Sequence, residues 1–306
     1  MAEGTLHIFY SRLRMEEKAL LKASESLGVS VDFRDVGGLV WPDDFENAAP
    51  GDVALCRCVS QTQNAALTQL LEDRGVRAIN PSRVLLLCGD KIATAALLDQ
   101  ENIPQPAWRV ATSSEGAVKA AESLGYPVVF KPPVGSWGRL LAKISDREAC
   151  EAIVEHKAHM GPAHSVFFVQ EFVEKGGFDL RAVMIGGKTA TLMKRSSEHW
   201  ITNTARGATP EPYLMDEKLD DLLNRTAKAI GGDFLAVDVF KLKNTWVVNE
   251  VNGQPEFHGS VAATGIDVGK LMVEYAVQLL ASQGQGRGRG REVNEGKEGK
   301  EGKPSC

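Results

Sequence analysis

Apolar positions recur along this chain with two periods, and the switch between them marks out the elements. LHIFY (6–10), VSVDFRDV (29–36), DVALCR (52–57) and VRAINP (76–81) are short β-rich runs, with helical patterns at RMEEKALLKASESLG (14–28) and TQNAALTQLLEDRG (62–75). Strands alternating with helices predict a small α/β unit on a mainly parallel sheet. Asn80-Pro81 marks its boundary. A helix is expected at 82–87, and Asp90 is a plausible N-cap for the next one, IATAALLDQ (92–100). Residues 104–130 predict a strand, an amphipathic helix (SSEGAVKAAESLG, 113–125) and the strand YPVVF (126–130). A Gly-rich loop (132–139), the strand LLAKI (140–144), a helix around 146–160 and the apolar strand SVFFVQEFV (165–173) follow. The stretch 178–258 reads as strand-rich apart from a helix at MDEKLDDLLNRTAKAIGG (215–232). A closing helix, VGKLMVEYAVQLLAS, ends near 282, and the polar Gly-rich remainder cannot bury apolar surface and is expected to be disordered.

Within this pattern FLAVDVFKLKNTWVVNEVNGQPEF (234–257) is the most informative stretch. Two β-rich runs, 234–242 and 246–252, flank a polar Lys-Asn-Thr link, which predicts an antiparallel hairpin. A three-residue loop or an equivalent bulge would set Asp238 opposite Glu250, with Asn252 on the same face, whereas a two-residue loop would separate them. Carboxylates flanked by Val, Leu and Phe are costly to bury unless something neutralises them. A hard divalent cation shared with phosphates is the obvious partner; the alternative is an exposed edge hairpin.

Composition narrows the classes without choosing among them. At 306 residues the chain is long enough for two or three domains with substantial cores. No apolar run is long enough to span a membrane, and the N-terminus lacks the apolar core of a signal peptide. Five cysteines without paired spacing imply reduced thiols and a cytoplasmic location. The net charge of −5 argues against bulk nucleic-acid binding. The Arg-Gly repeat of the tail invites an RNA-binding reading, which its interspersed glutamates weaken.

Three further stretches carry candidate chemistry. Val128–Lys131 leads into Pro132-Pro133-Val134-Gly135-Ser136-Trp137-Gly138-Arg139, a glycine loop between strands. No helix begins directly after the glycines, so this is neither a P-loop nor a dinucleotide fingerprint, but its backbone N–H groups can still cradle a phosphate beside Lys131. Gln170-Glu171-Phe172-Val173 ends a strand and enters Glu174-Lys175-Gly176-Gly177-Phe178-Asp179-Leu180-Arg181. That suits an interdomain hinge with an edge for a base. Arg195 and HWITNTARG (199–207) concentrate donors, and the planar forks of Arg195 and Arg206 are candidate clamps for an acid substrate. No Ser-His-Asp or Cys-His constellation and no metal-type His pair has recognisable spacing.

Read together, GDKIAT (89–94), VVFKPPVGSWGRLLAK (128–143), QEFVEKGGFDLR (170–181), HWITNTARG (199–207), AVDVF (236–240) and NEVNGQPEF (249–257) resemble the ATP-grasp fold. Within it they are similar to the RimK-like carboxylate–amine ligases of the LysX type, which join α-aminoadipate to the C-terminal glutamate of the small acidic carrier protein LysW. The resemblance covers about residues 5–280, including RCVSQ (57–61). It implies an α/β (α+β) chain with an N-terminal pre-ATP-grasp domain (1–86), a central subdomain (87–172), a C-terminal subdomain with the metal site (173–282) and a tail (283–306). Lys91, Lys131 and the loop Gly135–Arg139 would hold ATP phosphates. Gln170, Glu171, Phe172 and Val173 would hold adenine, with Glu174 or Asp179 towards the ribose and Arg181 beside them. Asp238, Glu250 and Asn252 would bind Mg²⁺, in two ions. Arg195, Asn203 and Arg206 would face the acyl phosphate and the amino acid. The implied chemistry is acyl-phosphate formation on the carrier carboxylate, then attack by the amino acid's α-amine. A homo-oligomer is expected, since such ligases commonly pair.

In that family the residues after Glu256-Phe257 divide enzymes for α-aminoadipate (Asn, then a small residue) from those for glutamate (Gly-Phe). Here Gly259-Ser260 is half of each. Ser260 leaves more room than Phe, favouring α-aminoadipate or a bulkier amino acid, while Gly259 removes an amide that could bind the distal carboxylate. Gly253-Gln254-Pro255 also departs from the expected His-Thr-Met. Two alternatives stand beside this reading: a ligase adding glutamate to a carrier, a ribosomal protein, a peptide or a cofactor, and a nucleotide- or RNA-binding protein acting through its RGRGR tail.

Overall fold

The computed structural model describes residues 4–135, 140–161, 164–202 and 207–294, with backbone alone for 284–294. Four parallel strands, β1 (Leu6–Tyr10), β2 (Val31–Asp35), β3 (Val53–Arg57) and β4 (Arg77–Ile79), form the first sheet in the order β2-β1-β3-β4. Helices α1 (Met15–Ser26) and α2 (Gln61–Asp73) connect them, and every residue of β3 is buried, as a parallel sheet covered on both faces requires.

The segment after Pro81 forms α3 (Ser82–Gly89) and α4 (Lys91–Gln100), the latter capped by Asp90, whose Oδ1 accepts from the backbone of Ile92 and Ala93. A second, antiparallel sheet in the order β5-β8-β6-β7 joins β5 (Trp108–Ala111), β6 (Val128–Lys131), β7 (Ala142–Ile144) and β8 (Phe167–Glu171). Helices α5 (Ser114–Leu124) and α6 (Arg147–Ala158) cover one of its faces.

The third sheet, β11-β10-β9-β12-β13, contains β9 (Phe178–Ile185), β10 (Lys188–Ser196), β11 (Thr209–Pro212), β12 (Phe234–Leu242) and β13 (Thr245–Asn252). Strand alternation gives it two different faces. Leu180, Ala182, Met184, Leu192, Leu235, Val237 and Val239 point into a core with α7 (Glu217–Ile230). That helix is capped by Asp216 and closed by Gly231 in the left-handed conformation at φ +68°, and it buries Leu219, Leu222, Leu223 and Ile230, each worth about 1.5–3 kcal/mol of transfer energy. Val84, Leu98 and Ile103 belong to this same core. Helix α3, expected to straddle the boundary at residue 86, and α4, expected with the central unit, therefore both pack on the third sheet.

On the opposite face Val183 and Phe234 join Leu6, Ile8, Leu20, Val53 and Leu55 of the first domain. Phe257 and the closing helix α9 (Val268–Asn294) complete that shared core, so the first and last units are one packed body. Two elements differ from expectation. A helix, α8 (His258–Thr264), begins where the strand-rich region was expected to end, in a stretch given no element. The closing helix also runs to Asn294, into the segment expected to be disordered, because elongating a helix from a packed nucleus avoids the cost of starting one. Residues 295–306 lie outside the described residues.

Candidate active site

The hairpin sets the site. Its link is two residues long, since Leu242 pairs with Thr245, and a bulge at Asn249 corrects the register that such a link would otherwise give. Asp238 thereby pairs with Glu250 and Ala236 with Asn252, so Asp238, Glu250 and Asn252 share a face. Pairing continues across the sheet: Asp238 lies beside Arg181, Arg181 beside Met193, and Asp179 beside Arg195. The face opposite the α7 core is thus a polar lattice of cross-strand neighbours.

Its charges are closely matched. Arg181 Nη1 donates to both oxygens of Asp238, at 2.9 and 3.1 Å, and Arg195 Nη2 lies 3.2 Å from Asp238 Oδ1. Arg195 Nε donates to Asp179 at 2.6 Å, and Asp179 also accepts from Thr202. Lys175 donates to Thr202 at 2.7 Å and lies 3.5 Å from Asp179. Burial alone would push the Asp238 carboxyl up, but Arg181 and Arg195 outweigh it and hold its pKa below the usual range. Burial likewise opposes the Arg195 charge, and Asp238 and Asp179 reverse that effect, raising its pKa.

The facing wall comes from the second sheet and α4. Lys131 is buried at the end of β6 and donates to Asn249 Oδ1 at 2.9 Å. Burial pulls its pKa down to about 8, although the Glu250 charge partly resists. Lys91 reaches Glu250 at 3.5 Å and the carbonyl of Gly135, and a bridge between Asp90 and Val134 ties α4 to the glycine loop. Gly135 has φ +149°, a backbone that disfavours other residues. Ser136, Trp137, Gly138 and Arg139 lie outside the described residues, as do Asn203 and Arg206.

A cavity of about 680 Å³ lies between these walls, and Gln170, Glu171, Phe172 and Val173 line it. Phe172 carries Lys143 Nζ 3.7 Å from its ring centroid and meets Trp200 edge-on at 6.1 Å. Glu171 accepts from the backbone of Ala107 at 2.9 Å. Glu174, expected near a ribose, is exposed and does not line the cavity. Asp179 does line it, but its carboxylate is committed to Arg195, Lys175 and Thr202.

The expected specificity residues divide similarly. Glu256 and Gly259 line the cavity, as does His258, which was not expected to; Phe257 is 1% exposed in the interdomain core and Ser260 is 0% exposed with its Oγ on Met193 Sδ at 3.7 Å. The turn into α8 rotates these two side chains inward. The unusual Gly253-Gln254-Pro255 is an interdomain strap: Asn80 donates to the Gly253 carbonyl, Gln254 donates to the Cys58 carbonyl, and Arg57 donates twice to the Pro255 carbonyl. A Cβ on Gly253 would press on Cys88 at 3.3 Å.

Sequence reasoning missed several lining residues. Asn249 enters the site only because the bulge turns it there, and Arg14, Glu16, Lys175 and Trp200 arrive from separate elements. Only the Arg14-Met15-Glu16-Glu17 run, unusually charged for a helix start that becomes buried, gave a signal.

For a metal, Asp238, Glu250, Asn249 and Asn252 offer the all-oxygen donor set that suits Mg²⁺. Asp238 is already engaged by two guanidiniums and Asn249 Oδ1 by Lys131, so Glu250 and Asn252 hold the freer oxygens. Among the described residues no group of three or more His, Cys, Asp or Glu side chains is arranged to hold an ion. The set therefore fits an ion that completes its shell with phosphate oxygens.

Comparison with known proteins agrees with this layout. Residues 6–87 match the LysX preATP-grasp domain and residues 88–276 the RimK-like ATP-grasp domain. A glutamate–LysW ligase, ArgX, of Sulfurisphaera tokodaii is 39% identical over 269 residues, which is 86% of this chain and 94% of that one. An α-aminoadipate–LysW ligase, LysX, of the same organism is 34% identical over 274 residues, 88% of this chain and 96% of that one. The crystal structure of a RimK-domain ATP-grasp protein from Sphaerobacter thermophilus superposes with a TM-score of 0.73 at 27% identity, covering 89% of this chain and 99% of that chain.

Proposed function

This chain belongs to the RimK-like ATP-grasp family, and from that premise we propose that it is an ATP-dependent ligase. It joins an acidic α-amino acid, α-aminoadipate or glutamate, through the α-amine to the C-terminal glutamate of a LysW-like carrier. The relatives that are LysW ligases of both kinds support the carrier. The observation that carries the site is the polar lattice from Glu250 through Asp238 and Arg181, facing two lysines across one cavity.

The roles follow from charge and position. Lys131 and Lys91 bind the phosphates of ATP, with the glycine loop from Gly135 over them. The strand end Gln170–Val173 holds the base. A carboxylate oxygen of the carrier's terminal glutamate attacks the γ-phosphorus, the bond to ADP breaks, and an acyl phosphate forms. The α-amine then attacks the acyl carbon and phosphate departs with the electron pair. Arg195, with Arg206 of the substrate loop, neutralises the acyl phosphate, and Asp179 and Asp238 fix the Arg195 guanidinium beforehand. Glu250, Asn252 and Asp238 would hold Mg²⁺, taken here as two ions, which supplies charge neutralisation between phosphate oxygens. Catalysis of this kind is positioning and electrostatics, so no nucleophilic side chain is needed.

A mass-shift assay of a LysW-type carrier against a panel of amino acids tests target and acceptor together. Addition of one acidic amino acid, dependent on ATP and Mg²⁺, is expected; no shift with any carrier ending in glutamate would reject the reading. Location in the cytoplasm and homo-oligomerisation remain part of the proposal; among the described residues no helix is long and apolar enough to cross a membrane.

A further inference from the structure

The nucleophile of the second step must be a free amine, yet near neutral pH an amino acid carries an ammonium group. A base within the cavity is therefore needed, and most candidates there are committed. Asp179 and Asp238 are locked to guanidiniums, and Lys175 is tied to Thr202 and Asp179. His258 is the one histidine among the described residues lining the cavity.

Its surroundings suit the task. Glu16, at the second position of α1, is 2% exposed, and its Oε1 lies 2.6 Å from His258 Nδ1. The same oxygen accepts from the backbone N–H groups of Phe257 and His258, at 3.2 and 3.3 Å. Burial would raise the Glu16 pKa, but the His258 hydrogen bond leads the contributions that overcome it and hold the carboxyl below its usual range. An ionised carboxylate only accepts, so Nδ1 carries a hydrogen and Nε2 is the ring nitrogen that can take a proton. The imidazole is 51% exposed and opens on the cavity. The charged groups facing this end are Glu16, Glu256 and Arg14, the last shared between Glu17 and Glu256. His258 lines the same cavity as Arg195, the guanidinium that awaits the acyl phosphate.

We infer that His258 is the general base of amide formation, oriented by Glu16. The inference rests on the ligase reading above. His258 Nε2 takes one proton from the α-ammonium group, and the freed lone pair attacks the acyl carbon. The N–C bond forms, the C–O bond to phosphate breaks, and the second amine proton leaves with the departing phosphate. Glu16 is a positioning residue that supports the imidazolium.

Hydroxylamine separates the two steps, because it is a neutral nucleophile at pH 7 and needs no base. His258→Gln is expected to slow amino-acid addition about 100-fold at pH 7, with the loss shrinking as pH rises towards 9. Capture of the activated carrier as its hydroxamate should change less than threefold in the same variant. Glu16→Gln should move the acidic limb of the amide-formation profile to lower pH, which a merely structural contact would not do. A His258→Gln loss that is equal at every pH, or equal for hydroxylamine and amino acid, overturns the assignment. Absence of any hydroxamate with the unsubstituted protein overturns the ligase reading, and this inference with it.

Discussion

Two buried clusters of charge border one cavity, and they are assembled by different means. In the third sheet Asp179, Arg181, Arg195 and Asp238 are cross-strand neighbours, brought together by period-two alternation within one sheet. In the second cluster Arg14, Glu16, Glu17 and Arg57 of the first domain meet the stretch 255–258, some 200–240 positions away. The first cluster is built for chemistry on a rigid lattice. The second joins two domains and presents only its outer members to the cavity. Strand pairing can be anticipated from local pattern, whereas contacts between distant elements have no local pattern to read.

The sharpest test of that division is Glu250→Ala, which removes the freest carboxylate of the lattice. Turnover, read as carrier- and amino-acid-dependent ADP release, is expected to fall at least about 1,000-fold, while the fold survives because Glu250 is partly exposed. Near-normal turnover would mean that the lattice is not the metal platform.

Breaking one ion pair in each cluster comes next. Asp238→Asn leaves Arg181 and Arg195 short of a counter-charge, and Arg57→Met leaves buried Glu17 with Arg14 alone. Each should destabilise the protein by about 3–5 kcal/mol in chemical unfolding, the usual cost of stranding a buried charge. Their kinetics should part company: Asp238→Asn loses turnover at saturating substrates, and Arg57→Met keeps it within about tenfold while raising the amino-acid KM. Equal losses in turnover would erase the distinction between the two clusters.

These contrasts also explain what the sequence could and could not disclose. The ATP-grasp layout was legible because the strand runs, the glycine loop and the hairpin are local patterns, and the family match agrees. Alternation left Asp238 opposite Glu250 only if the link had three residues or a bulge made up the difference; the bulge does so behind a two-residue link, and Asn249, which it turns into the site, was missed. Helix α8 was missed because seven residues without a capping side chain give no periodic signal. Its turn decides that Phe257 and Ser260 point inward while His258 faces the cavity. The placement of α3 and α4 on the third sheet depends on tertiary packing of Val84, Leu98 and Ile103, which any apolar helix face could have satisfied elsewhere.

Lys131 sharpens the comparison within the lattice by setting function against stability. Its pKa near 8 lies below the ordinary 10.5, so between those values the unfolded chain binds more protons than the folded one. Stability should therefore rise with pH from 8 to 10.5, with the full cost of the buried charge present below 8. Nucleotide affinity should move the opposite way, falling as pH passes 8 and the ammonium is lost. Lys131→Met is expected to raise stability by about 1–3 kcal/mol in urea titration and to weaken ATP binding about 100-fold in calorimetry. A variant that is both less stable and still tight for ATP would contradict the assignment.

The smallest effect is expected beyond both clusters. The closing helix inserts Met272, Val273, Ala276 and Leu280 into the interdomain core, and past Leu280 the sequence offers Ala281, Val293 and little else that is apolar. Glycines at 284, 286, 288 and 290 each cost about 1 kcal/mol of helix propensity relative to alanine, so this extension contributes little to the fold. Ending the chain after Gln283 should shift unfolding free energy by less than about 1 kcal/mol and leave the mass-shift assay unchanged. If turnover fell instead while stability held, the basic Arg-Gly stretch would be engaging the carrier, whose acidic character would then be read by a segment outside the cavity altogether.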